Sequence, residues 1–92
     1  MRLAWSAHAV DDLKAISEYV EQDRDLTTAN RVTRKIYEAI QSLRSMPYRG
    51  RSGRLADTRE IVVPGLPWII IYQITQERVL VLNIVHGAQR WP

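Results

Sequence analysis

The chain contains no cysteine and only two histidines, His8 and His86. The first absence removes disulfide frameworks and thiolate chemistry, and it fits a reducing compartment, so a cytoplasmic location is expected. The second leaves no His/Cys/carboxylate spacing of the kind that grips a metal ion, so neither metal nor cofactor is expected. Long apolar runs are missing as well. The opening Met1-Arg-Leu-Ala-Trp5 lacks the apolar core of a secretory signal, and no stretch approaches membrane-spanning length. A membrane partner is therefore not expected. There are no internal repeats, low-complexity tracts or linkers. Ninety-two residues leave room for one hydrophobic core, so 1–92 is read as a single domain.

What is present is charge in one place. From Arg44 to Arg59 the sequence carries five arginines and one acid, Asp57. That window holds a net +4 while the whole chain is only +3, so everything outside it is slightly acidic. Pro47, Gly50 and Gly53 interleave with the arginines. Planar cationic side chains on turn-forming backbone suit an anionic partner, a phosphate or a carboxylate. The plain alternative is a solvated loop that aids solubility. A sequence pI of about 9.7 permits nucleic-acid or acidic-protein partners and selects neither.

Hydrophobic periodicity divides the chain. Arg2 to Trp5 is a short extended run. Ser6 stands where a helix N-cap would stand, and Ala9, Leu13, Ile16 and Val20 then recur at helical spacing. Asp23-Arg-Asp25 breaks the pattern, and Thr27 or Thr28 offers a second cap. Ala29, Val32, Ile36, Ile40 and Leu43 make a second stripe that Pro47 brings to an end. Two amphipathic helices joined by a polar turn form a hairpin that needs an apolar surface to rest on. Three β-rich runs supply one: Thr58 to Val63, Trp68 to Ile74 and Val79 to His86. Their connections are too short for parallel crossovers, which predicts an antiparallel meander. The expected fold is α+β, in the order β-α-α-β-β-β, a small antiparallel sheet with an N-terminal αα-hairpin on one face.

Several pieces, taken in order, resemble the RelE/ParE superfamily of type II toxin–antitoxin toxins over almost the whole chain. They are Leu3-Ala-Trp-Ser6, Asp11-Asp-Leu13, Ile16-Ser-Glu-Tyr19, Pro47-Tyr-Arg-Gly-Arg51, Thr58-Arg-Glu-Ile-Val-Val63, Ile69-Ile-Ile-Tyr72 and Val85-His-Gly-Ala-Gln-Arg-Trp-Pro92. The resemblance implies a growth-inhibiting toxin held in check by a cognate antitoxin, for which an acidic, partly disordered tail is expected. It also implies one of two targets. ParE-like members poison DNA gyrase, whereas RelE-like and YoeB-like members cut mRNA on the ribosome. A toxin fold kept only as an inactive binding module is a third reading.

The residues lean toward ParE. RNA-cutting members are similar here except for a basic residue ahead of the strand tyrosine, and Ile69 stands at that position. Cleavage builds charge on phosphorus and needs a proton for the leaving oxygen, and isoleucine serves neither need. The long helices implied by residues 9–43 also look more like ParE. On the gyrase reading the target surface is Arg49, Arg51, Arg54, Arg59, His86, Arg90 and Trp91. On the ribonuclease reading His86 is the base, and Arg59 and Arg54 hold the phosphate. Each residue has a bland alternative. His86 ends a strand and could simply pack there. Tyr48, beside the arginines, could stack a base, but packing at the base of the loop is its more ordinary role, and Trp91 needs either a place on the domain or a partner.

Overall fold

The computed structural model describes residues 1–89 and 91. Along the chain run β1 (Arg2–Trp5), α1 (Ala7–Asp23), α2 (Leu26–Ser42), β2 (Arg51–Ser52), β3 (Arg59–Val62), β4 (Trp68–Thr75) and β5 (Arg78–His86). The sheet order is β1-β5-β4-β3-β2. The three expected strands form the antiparallel meander β3-β4-β5. Two additions make the sheet five-stranded and mixed. The two-residue β2 pairs antiparallel with β3, and β1 runs parallel to β5. Periodicity gives a strand its existence but not its neighbour, so the parallel docking of β1 could not be read from spacing.

Ser6 does cap α1. Its Oγ accepts the Ala9 N–H at 3.0 Å and donates to the Leu82 carbonyl at 2.7 Å, which ties the helix start to β5. Asp12, one turn on, accepts the Ile84 N–H at 2.8 Å and the Asn83 amide at 3.2 Å. It does so just beyond Val81, the last residue of β5 that pairs with β1. The second cap is not Thr27 or Thr28 but Asp25, whose carboxylate accepts the Thr28 N–H at 2.6 Å. A carboxylate two residues before Thr27 outcompetes a threonine because it adds charge at the positive end of the helix. The second helix stops at Ser42, before Pro47 is reached.

The core lies between hairpin and sheet. Ala9, Ile16 and Val20 from α1 and Ala29, Val32, Ile36 and Ile40 from α2 meet Ile70, Tyr72, Val79, Val81 and Ile84. Alternation along the strands sends Ile69, Ile71 and Val85 to the opposite face, where Leu82 and Trp91 pack on them. At the β4–β5 turn Gln76 and Glu77 both take positive φ, 48° and 62°, the geometry a two-residue hairpin loop requires. No helix among the described residues is long and apolar enough to cross a membrane.

Candidate functional site

The arginine-rich segment leaves α2, turns through residues 46–50, forms β2 and returns as β3. Two anchors hold it. The Tyr72 hydroxyl, buried in the middle of β4, donates to the Pro47 carbonyl at 2.7 Å and accepts the Gly50 N–H at 3.0 Å. Burial raises the Tyr72 pKa above 10.0, against the lowering effects of the Gly50 N–H and the nearby Arg59 and Arg49 charges. A Cβ on Gly50 would come within 2.4 Å of that oxygen, so this close approach requires glycine. The second anchor is Arg59, whose guanidinium donates to the carbonyls of Gly50 at 2.7 Å and Tyr48 at 3.2 Å. The same group lies 5.1 Å from the centroid of the Tyr48 ring. Tyr48 is otherwise 65% exposed, so its packing role is confined to the arginine.

Glu60 organises the rest. It pairs with Arg51 on one side and Ile71 on the other, so its carboxylate shares their face of the sheet. The residue is only 3% exposed. One oxygen takes the Arg51 guanidinium at 3.1 Å, and the other accepts the Arg54 backbone N–H at 3.1 Å with the Arg54 side chain 3.9 Å away. Arg54 also reaches across to the Trp91 carbonyl at 2.9 Å. Arg51, Arg54, Glu60 and Trp91 thus meet on the sheet face away from the helices.

The other candidates sit apart. Arg49 lines an open groove of about 300 Å³ with Lys35, Glu38, Ser42 and Val63. His86 lies at the end of β5 opposite Trp68, its ring meeting the indole edge-on at 5.1 Å. Its Nδ1 accepts the Ala88 N–H at 3.0 Å, and its own backbone N–H is held by the Gln89 side chain at 3.2 Å. Arg59 is paired with Tyr72, four residues along β4 from Trp68 and on its other side. At about 3.3 Å per residue and 4.8 Å per strand, the His86 and Arg59 backbones are roughly 16 Å apart. The trio of His86, Arg59 and Arg54 does not converge on one phosphate-sized point. Arg90 lies outside the described residues. Sequence reading missed Glu60 and Tyr72. No local pattern marks either as an anchor, since β3 also carries Arg59 and β4 also carries Gln73 and Thr75.

These features have relatives. Residues 3–91 match the family described as ParE toxin of type II toxin-antitoxin system, parDE. The chain belongs to the ParE toxin family. The Y4kP protein of Sinorhizobium fredii is 38% identical over 99% of this chain and 93% of its own length. Toxin RelE2 of Caulobacter vibrioides is 32% identical over 96% of this chain and 97% of that one. Among solved structures, the chromosomal ParDE toxin–antitoxin system of P. aeruginosa matches with a TM-score of 0.87 at 20% identity, covering 94% of this chain and 95% of that one. The intact E. coli RelBE toxin–antitoxin complex matches at 0.59 and 16% identity, covering 97% and 98%. The toxin described here is a RelE/ParE-superfamily member nearer in fold to ParE.

Proposed function

We propose that this toxin arrests growth by binding and poisoning DNA gyrase, and that a cognate antitoxin with an acidic tail neutralises it. The observation that carries the choice of target is Ile69. Where RNA-cutting relatives place a cation, this residue is 6% exposed, in an apolar cluster with Ile71 and Val85 beneath Trp91. Neither a phosphate nor its counter-charge belongs in such surroundings. The state of His86 supports the same reading. A base for a 2′-hydroxyl needs a free lone pair, and Nδ1 already accepts the Ala88 N–H. The hydrogen-bond network therefore leaves the ring proton on Nε2. The candidate contact surface is the side chains of Arg51 and Arg54, 61% and 45% exposed, with Trp91 beside them and Arg49 on a separate groove.

The test pairs two readouts from one induction. Purified toxin incubated with gyrase and plasmid should trap cleaved DNA, and induced cells should mount a DNA-damage response. Mapping of mRNA ends in the same cells should show no codon-positioned cuts. Such cuts without trapped gyrase complexes would transfer the toxin to the ribosome-dependent ribonucleases. Absence of growth arrest would leave the inactive binding module.

A further inference from the structure

Charge is segregated between the two layers of the fold. Residues 7–42, which hold both helices, carry seven acids and five basic side chains, a net −2. The rest of the chain carries three acids and eight arginines, a net +5. Of those three acids, Glu60 is already met by Arg51 and Arg54. Asp57 lies in the turn before β3, and Glu77 in the turn before β5. The positive charge stands at both edges of the sheet. Arg51 and Arg54 mark the β2 edge. At the β1 edge Arg2 lies directly opposite Arg78 in the parallel register. Arg44 joins them there, bordering one hollow with Arg2 and accepting the Met1 amine on its carbonyl at 3.1 Å. No acid among the described residues comes within 4.0 Å of Arg2, Arg44 or Arg78. Through the strand register Arg51 lines up with Ile71 of β4, and Arg2 with Thr75. At about 3.3 Å per residue and 4.8 Å per strand, the two basic edges are roughly 23 Å apart. Duplex DNA carries one charge per about 1.7 Å of its axis, so that span covers roughly a dozen phosphates.

Between the edges, alternation with the core residues Tyr72 and Ile74 puts Gln73 and Thr75 on the outer face. Trp91 is pressed onto Ile69, Ile71 and Val85 there, with its indole nitrogen buried. Among the described residues that face therefore offers no free ring to stack a base, which sets it apart from a single-strand platform. A poison raises the population of cleaved enzyme–DNA complex only if it binds that complex more tightly than the bare enzyme. Charge gathered on one side of a small toxin is matched by the duplex that the enzyme holds. We propose that the helix-free side of the toxin, from Arg51 and Arg54 at one edge to Arg2, Arg44 and Arg78 at the other, contacts the phosphate backbone of gyrase-bound duplex DNA, a proposal that rests on the gyrase reading above. The acidic hairpin fixes the orientation, because phosphate repels it and turns the sheet toward the DNA. The contact is to backbone charge and carries no base sequence.

The test measures labelled toxin against gyrase alone, gyrase loaded with a linear duplex, that duplex alone, and a single-stranded RNA. Affinity for the loaded enzyme should exceed affinity for either component at least about tenfold, as two linked contacts give. It should also fall with salt more steeply than affinity for bare gyrase, with a log–log slope steeper by about 2–4. The variant Arg2→Gln/Arg44→Gln/Arg78→Gln, all three sites being exposed, should lose that gain and flatten the slope by about one for each phosphate contact removed. Its affinity for bare gyrase should stay that of the wild type. Arg2→Lys/Arg44→Lys/Arg78→Lys should keep most of the gain, since a backbone contact needs the charge. Equal affinity for loaded and bare gyrase, or a glutamine variant that loses nothing, overturns the DNA contact and leaves the gyrase reading standing. Duplex alone bound as tightly as the loaded enzyme makes the face a general DNA-binding surface and overturns the proposal. Tightest binding to the RNA assigns the face to RNA and overturns it as well. If the toxin binds neither form of gyrase, the gyrase reading fails and takes this proposal with it. Should the glutamine variant not fold, the wild-type comparison of loaded and bare gyrase across salt decides by itself.

Discussion

The Arg51 guanidinium and the Glu60 carboxylate meet at 3.1 Å, with the arginine side chain 61% exposed and the glutamate side chain 2% exposed. This asymmetry sets the energetics. Solvent screens the arginine, so the pair itself contributes little stability. The glutamate has left water and depends on its donors, of which the Arg54 backbone N–H is the other close one. The cluster therefore acts mainly to position two exposed guanidinium groups. Glu60→Gln keeps the shape and one acceptor but weakens both bonds, and it should cost about 1–2 kcal/mol. Urea unfolding checks this: the midpoint should fall with the slope unchanged.

Tyr72 offers a sharper test, because its hydroxyl is both donor and acceptor inside the fold. Tyr72→Phe removes the Gly50 N–H partner and the donor to Pro47, and it should cost about 1–3 kcal/mol. The raised Tyr72 pKa adds a pH dependence. The unfolded tyrosine ionises near 10.0 and the folded one later. The contribution is whole below pH 10.0 and shrinks as pH climbs through 10.0 toward the raised folded value. Wild type should therefore lose stability faster than the phenylalanine variant in alkaline melts. Equal alkaline slopes would contradict this account.

How much of this was legible follows from the range of each interaction. Ser6 could be recognised because a cap and its helix are neighbours in sequence. The stripe from Ala29 to Leu43 could be recognised because burial repeats every turn. Glu60 could not, since nothing local distinguishes a strand glutamate facing water from one facing two arginines. Arg59 was read as a contact residue because its charge is visible in sequence, whereas its bonds to the Gly50 and Tyr48 carbonyls exist only once the loop closes. The placement of β1 beside β5 depends on contacts between opposite ends of the chain, and no spacing encodes them. Trp91 required a place on the domain or a partner, and the outer sheet face supplies the place.

Asp25 gives a prediction at the acid end. Its pKa is lowered by hydrogen bonds from the Thr28 side chain and backbone, helped by Arg24 and Arg31. The folded carboxylate holds its proton less tightly than the unfolded one. Its contribution is complete well above pH 3.8, and it disappears as pH falls through 3.8 to the lowered folded value. Asparagine also caps helices but does not titrate. Asp25→Asn should therefore resemble wild type near neutrality and lose less helical signal on acidification. Identical acid transitions by circular dichroism would show that Asp25 titrates alike in both states.

The arginines and His86 separate the two mechanisms. Arg59 is a poor site for a charge reversal, because breaking its bonds to Gly50 and Tyr48 would disturb the loop before any target was tested. A cleaner disruption replaces the cluster as a unit, Arg51→Gln with Arg54→Gln and Glu60→Gln, which removes both exposed cations and leaves no buried carboxylate unpaired. On the gyrase reading this triple variant should fold, yet lose trapping of cleaved plasmid, since the complementary charge that steers and holds the complex is gone. His86→Gln should keep most of the growth inhibition, because the histidine orders the turn at residues 86–89 and touches neither Arg51 nor Arg54 in the hydrogen-bond pattern. A general base behaves otherwise: its removal lowers rate by about 10²–10⁴-fold. Growth arrest that vanishes with His86→Gln and survives the triple variant would reverse the assignment and place the chemistry on RNA.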